Sequence, residues 1–123
     1  MLEKICKAEL SDLQDIAALE SEIFSDAWSL KSLEETWNQK NAVIFAAKTE
    51  EKIAGYLIIY YVLDEGEIAR IAIAPSMRRQ GAAGQMFQEL VAFCEEQQIT
   101  RIMLEVRAVS YTHLRAHETR HDL

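Results

Sequence analysis

The sequence predicts one mixed α/β domain: an antiparallel meander of strands that passes, through a single long crossover helix, into a parallel neighbour. Residues 43–49, 53–63 and 67–74 are β-rich runs split by short polar turns. The run QMFQELVAFCEEQQ after Gly84 keeps a helical apolar repeat, and RIMLEVR at 101–107 returns to alternation. Short turns join antiparallel strands, whereas a parallel return needs a long crossover. At 123 residues the chain is long enough for one core and too short for two.

The totals narrow the function classes. Half the residues are apolar and 27% charged, as expected of a folded domain. A net charge of −7 argues against nucleic acid and anionic membranes as partners and suits a basic polypeptide. Cys6 and Cys94 form no disulfide framework and no CxxC pair, so both read as small hydrophobes of a reducing compartment. Glu3 and Lys4 interrupt any signal-peptide core. The longest apolar run, 53–63, is half of the roughly 20 residues a membrane span needs. A cytoplasmic protein is expected.

In chain order, residues 3–8 form a first strand. Ser11 and Gln14 have capping-box spacing, and Leu13, Ile16, Ala17 and Ile23 then keep a helical period, predicting a helix over about 12–24. Ser29 opens a second helix carrying Leu30, Leu33 and Trp37. Between them, FSDAWS at 24–29 reads from its residues as an aromatic plug joining two helix ends. Glu50, Glu51 and Lys52 turn one strand into the next, and Asp64-Glu65-Gly66 turns that one into the strand at 67–74. On the long helix Ala83, Met86, Phe87, Leu90, Val91 and Cys94 are assigned to the core face.

The stretch EIARIAIAPSMRRQGAAG, residues 67–84, is where chemistry is expected. Pro75 stops a strand, and Gly81 and Gly84 bracket a helix start. The first amides of a helix lack internal acceptors and sit at the positive end of its dipole, which suits a phosphate. Small side chains leave that backbone open, and Arg78 and Arg79 add mobile positive charge. A close-packed strand-to-helix turn explains the same glycines without a ligand. The dinucleotide and P-loop patterns both fail on spacing.

The phrase IAIAPSMRRQGAAG resembles the Arg/Gln-x-x-Gly-x-Gly/Ala signature of GNAT N-acetyltransferases, and over residues 3–107 the chain looks most like the RimI-type ribosomal-protein-alanine N-acetyltransferases. The resemblance implies a GNAT-like mixed sheet with acetyl-CoA as co-substrate and no metal. It implies that Arg78, Arg79, Gln80, Gly81, Ala82, Ala83 and Gly84 hold the pyrophosphate, and that backbone groups of Ile71, Ala72 and Ile73 pair with the pantetheine arm. FSDAWS is similar to the family's Phe-x-x-Trp-Ser segment beside the acceptor peptide, with Ala27 where proline is common. LEVR matches the segment whose glutamate is the general base, which implies that role for Glu105. By its own alternation Glu105 reads as a surface glutamate, and Glu67 is a turn carboxylate with no assigned chemistry. The implied acceptor is a protein N-terminal α-amine, most specifically a ribosomal-protein N-terminal alanine.

After Arg107 the resemblance ends. Counting without a gap sets Ser110 at the family's CoA-contacting asparagine and His117 at its proton-donating tyrosine, so neither role carries over. His113, His117 and His121 recur every four residues, open to readings as metal ligands, as a substitute acid at His117, or as part of a tail foreign to the family. The last is expected: 1–107 as an incomplete acetyltransferase domain lacking its terminal strands, and 108–123 as a spurious tail. Strand 101–107 is then an edge through which copies self-associate, and the chain is expected to be unstable or inactive. Three functions follow: an N-acetyltransferase for N-termini or another amine, a non-catalytic acetyl-CoA-binding fragment, or a partner-binding domain using that open edge.

Overall fold

The computed structural model describes residues 4–50, 52–75 and 81–104. In order they form β1 (Lys4–Lys7), a 3-10 turn (Leu10–Asp12), α1 (Leu13–Ile23), α2 (Leu30–Trp37), β2 (Ala42–Lys48), β3 (Ile53–Val62), β4 (Glu65–Ile73), α3 (Ala82–Gln97) and β5 (Arg101–Leu104). The strands lie in sequence order in one sheet, antiparallel from β1 to β4 and parallel between β4 and β5. The predicted meander and crossover are both present.

Side chains alternate across a strand, so β3 divides the core between two layers. Tyr56 and Tyr60 reach α1 and α2, where Tyr60 Oη lies 2.9 Å from Thr36 Oγ1. Tyr61 turns the other way and meets Phe93 of α3 edge to face, as does Phe45 of β2. Ile53–Ile59 are consecutively buried, which is the pattern of a strand covered on both faces.

Three local expectations are corrected. The box at the start of α1 is not Ser11 with Gln14: Glu9 N–H donates to Asp12 Oδ2 at 2.8 Å, because a 3-10 turn precedes the α-helix and shifts the reciprocal pair back. Asp64-Glu65-Gly66 is not the turn. Leu63 takes the left-handed conformation (φ 54°), so Glu65 and Gly66 already belong to β4. There a Cβ on Gly66 would lie 2.9 Å from Ile102 Cδ1, so the glycine serves close packing. On α3, Val91 is 55% exposed and Phe93 is buried. At 100° per residue the buried arc runs through Ala82, Phe93, Met86, Leu90 and Cys94, leaving Val91 opposite.

Ser29 caps α2 as expected, its Oγ accepting from Ser32 N–H at 3.1 Å. At the far end of α3, Gln98 (φ 61°) lets Ile99 N–H reach Cys94 O at 2.8 Å, and Ile99 enters the core. Thr100 and Arg101 N–H then donate to Asp64 O at 2.8 and 3.2 Å, which sets the start of β5 beside the start of β4.

Candidate active site

The β4–β5 ladder pairs Glu65, Gly66, Glu67 and Ile68 with Arg101, Ile102, Met103 and Leu104. Among the described residues it ends there, while β4 runs on to Ile73. On its other edge β4 carries a bulge: Ile58 pairs with Arg70 and Ile59 with Ile68, leaving Ala69 as the extra residue. Beyond β4, Ala74 N–H donates to Ala54 O at 2.7 Å, on the β3 side. By the two-residue alternation of an antiparallel strand, Ala72 faces β3 as well, and the backbone groups of Ile71 and Ile73 face the β5 side. The side chains of Ile71 and Ala72 are buried and that of Ile73 is half-buried.

At the head of α3, Gly81 is the N-cap at φ 83°, a left-handed conformation open to glycine at little cost. The first helical bond is Gln85 N–H to Gly81 O at 3.0 Å, so the amides of Ala82, Ala83 and Gly84 stand in the turn that has no internal acceptors. Among the described residues, a Cβ added at Gly81 or Gly84 would meet nothing within 4 Å. Open space beside orphan amides at the positive end of a 16-residue helix fits an anionic group. Ala82 is buried, Ala83 half-buried, and both glycines are exposed. Arg78, Arg79, Gln80 and Glu105 lie outside the described residues, as do the three histidines and the tail after 107.

A cluster that sequence reasoning missed lies on the α1 side of the same strand. Arg70, 4% exposed, donates from Nε to Glu20 Oε2 at 2.8 Å and from Nη2 to the same oxygen. Tyr56 Oη donates to Glu20 Oε1, and Trp28 N–H donates to Glu20 Oε2 at 3.0 Å. Arg70 Nη2 also donates to Asp26 O at 3.2 Å, and its guanidinium lies 4.0 Å from the Phe24 ring centroid. Burial above all, and the bond to Glu20 next, push the Tyr56 hydroxyl well above the ordinary phenol range. The signal was present in the sequence. Glu20 falls on the helical spacing of Leu13 and Ile16, and Arg70 interrupts an apolar strand.

A cleft of about 680 Å³ between α1 and the ends of β3 and β4 is lined by Asp15, Leu19, Glu22, Lys52, Ala74 and Pro75 among others. Among the described residues no group of three or more His, Cys, Asp or Glu is placed to hold a metal, and no helix is long and apolar enough to cross a membrane.

A mixed sheet with a bulged fourth strand, a crossover helix opening on glycine and a parallel β4–β5 ladder define a mixed α/β fold with the first amides of α3 at its head. The sequence profile of the acetyltransferase (GNAT) family matches residues 13–120, and the chain belongs to that family as an acetyltransferase enzyme. The [ribosomal protein bS18]-alanine N-acetyltransferase of Escherichia coli (strain K12) is 28% identical over 104 residues, 85% of this chain and 70% of that protein. A Bacillus subtilis (strain 168) protein, whose assignment to the same activity is provisional, is 29% identical over 103 residues, 83% of this chain and 68% of its own. The crystal structure of the Escherichia coli ribosomal-protein-S18-alanine N-acetyltransferase superimposes with a TM-score of 0.81 at 26% identity, covering 98% of this chain and 77% of that one.

Proposed function

We propose that the chain moves the acetyl group of acetyl-CoA to a protein N-terminal α-amine, and that its natural acceptor is the N-terminal alanine of a ribosomal protein in the cytoplasm. The observation that carries the reading is the left-handed Gly81 at the head of α3, with the amides of Ala82, Ala83 and Gly84 in the turn ahead of the first helical bond. An elongated anionic carrier fits that place: amides of Ala82, Ala83 and Gly84 for its phosphates, and the strand edge at Ile71 and Ile73 for its amide-bearing arm. Arg78, Arg79 and Gln80, which directly precede Gly81 in the chain, supply charge and donors. The two relatives named for bS18-alanine acetylation support the acceptor.

An α-amine with an ordinary pKa of roughly 7.7–8.0 must lose a proton before it attacks a thioester carbonyl. Glu105, next in the chain after Leu104, is assigned as the base. Its carboxylate takes the ammonium proton, the free amine attacks and a new N–C bond forms, the C–S bond breaks, and the second proton that the nitrogen loses on becoming an amide protonates the departing thiolate. Base catalysis of this kind contributes about 10²–10⁴ in rate.

Two measurements test the proposal. Acetyl-CoA should raise the melting temperature, because a ligand bound only to the native state stabilises it. An alanine-starting peptide should then be acetylated on its α-amine, as read by mass spectrometry. A thermal shift without peptide acetylation would leave a carrier-binding domain and reject the transferase reading; no shift at all would reject the carrier site.

A further inference from the structure

We propose that Arg70 is a positioning residue for the acceptor: with Glu20 it clamps the α1–α2 connector, residues 24–29, against the middle of β4, and so sets acceptor binding without setting acetyl-CoA binding. The inference rests on the acceptor reading above and on the likeness of FSDAWS, residues 24–29, to the family's segment beside the acceptor peptide, and it names what holds that segment in place.

The contacts converge on one guanidinium. Its Nη2 donates to Asp26 O at 3.2 Å and lies 3.7 Å from Asp26 Oδ1. Its Cζ is 4.0 Å from the Phe24 ring centroid and 5.6 Å from that of Trp28. Glu20, fully buried, takes two bonds from Arg70 and with the same oxygen takes the Trp28 amide at 3.0 Å. Phe24, Asp26 and Trp28 are therefore tied to one side chain of β4. Tyr56, donating to the other Glu20 oxygen, fixes the carboxylate's rotation.

An ion pair at this depth does little for net stability compared with apolar residues of similar volume. What it supplies is orientation. A planar guanidinium grips a carboxylate, a carbonyl and a ring face at once, which the point charge of lysine does not. Arg70 directly precedes Ile71–Ile73, the strand assigned to the carrier. The connector and the carrier strand are thus held by neighbouring residues of one bulged segment. Misplacing reacting groups by about 1 Å costs on the order of 10²-fold in rate.

The test uses the full chain carrying Trp37→Phe, which leaves Trp28 as the sole tryptophan. Without further change, an alanine-starting peptide should shift Trp28 emission and acetyl-CoA alone should not. Arg70→Lys removes the grip but keeps the charge; Glu20→Leu/Arg70→Met removes both charges and keeps the volume, so that it folds even where the single variant does not. Either should raise the peptide KM about tenfold or more while the acetyl-CoA KM stays within about twofold, and should make Trp28 more accessible to acrylamide. A folded variant with an unchanged peptide KM, equal rises in both KM values, or a Trp28 signal blind to peptide would each overturn the clamp. If the unaltered protein fails to acetylate the peptide, the acceptor reading itself falls, and that is seen before any Arg70 or Glu20 variant is made.

Discussion

Arg70 and Glu20 stand 50 residues apart in the chain and share two hydrogen bonds between β4 and α1, one of them 2.8 Å from Nε to Oε2, with both side chains almost wholly out of solvent. Breaking one side of such a pair strands the other charge. Glu20→Ala should cost about 3–5 kcal/mol, whereas Glu20→Leu/Arg70→Met should cost far less than the sum of its two single changes. Urea denaturation of the four proteins gives the cycle, and additive losses would show the pair to be uncoupled.

The assignment of Glu105 predicts a kinetic signature. Glu105→Gln keeps size and hydrogen bonding but takes up no proton, so kcat at saturating acetyl-CoA should fall by about 10²–10⁴ at neutral pH. The deficit should shrink as pH rises above the acceptor's pKa of roughly 7.7–8.0, where the free amine no longer needs the base. An unchanged kcat would remove Glu105 from the chemistry.

Phe93 is the hub between α3 and the sheet, meeting Phe45 and Tyr61 at centroid distances of 5.7 and 5.3 Å. Truncation to alanine should destabilise by about 3–5 kcal/mol. Val91→Ala, on the exposed side of α3, should stay within about 0.5 kcal/mol. Thermal or urea unfolding of both variants separates the observed core face from the one the repeat suggested.

That contrast shows where legibility ended. Strand order and the crossover followed from alternation and turn lengths, which depend on neighbours in sequence. The place of Val91 or Phe93 depended on how α3 is rotated against the sheet, a tertiary choice that a broad apolar arc leaves open. The start of α1 was misread because a 3-10 turn precedes it and moves the reciprocal pair back to Glu9 and Asp12, which engage each other's amides instead of those of Ser11 and Gln14. The Gly81 turn was legible because glycine at a helix start has few uses. The Arg70 cluster was not, since an inward arginine names no partner until the fold brings Glu20 beneath it.

Alkaline pH should act through Tyr56. Burial, then the bond to Glu20, raises its hydroxyl above the ordinary value, so above about pH 10 the unfolded chain loses a proton that the folded one keeps. The unfolded state then binds one proton fewer, and stability falls by about 1.4 kcal/mol per pH unit from this group. Its contribution is intact below that pH and drains away above it. Lys48, raised chiefly by its hydrogen bond to Asp12, acts in the same direction: its contribution holds below the ordinary lysine value and is lost as pH climbs through the raised one. Tyr56→Phe should lower stability at neutral pH by about 1–3 kcal/mol, through the partner removed from Glu20, and flatten the alkaline slope by one proton. Urea midpoints between about pH 8 and 11 decide it.

Gly81 and Gly84 offer a paired test: alanine at the first moves stability and ligand binding together, and alanine at the second moves them in opposite senses. At Gly81, φ is 83° and a Cβ would touch nothing within 4 Å among the described residues, so alanine there meets backbone strain. The cost is about 1–2 kcal/mol, and relief by rotation to negative φ would turn the first amides of α3 away from their common point. Gly81→Ala should therefore lose both stability and acetyl-CoA affinity. Gly84 lies within the first turn of α3, also with open space around it. Alanine should stabilise that helix by about 0.5–1 kcal/mol. If a phosphate lies against this backbone, the same methyl group intrudes on it, and Gly84→Ala should melt higher yet bind acetyl-CoA more weakly. Calorimetric titration beside a thermal melt reads both quantities. A variant that gains stability and keeps full affinity would move the anion away from the head of α3.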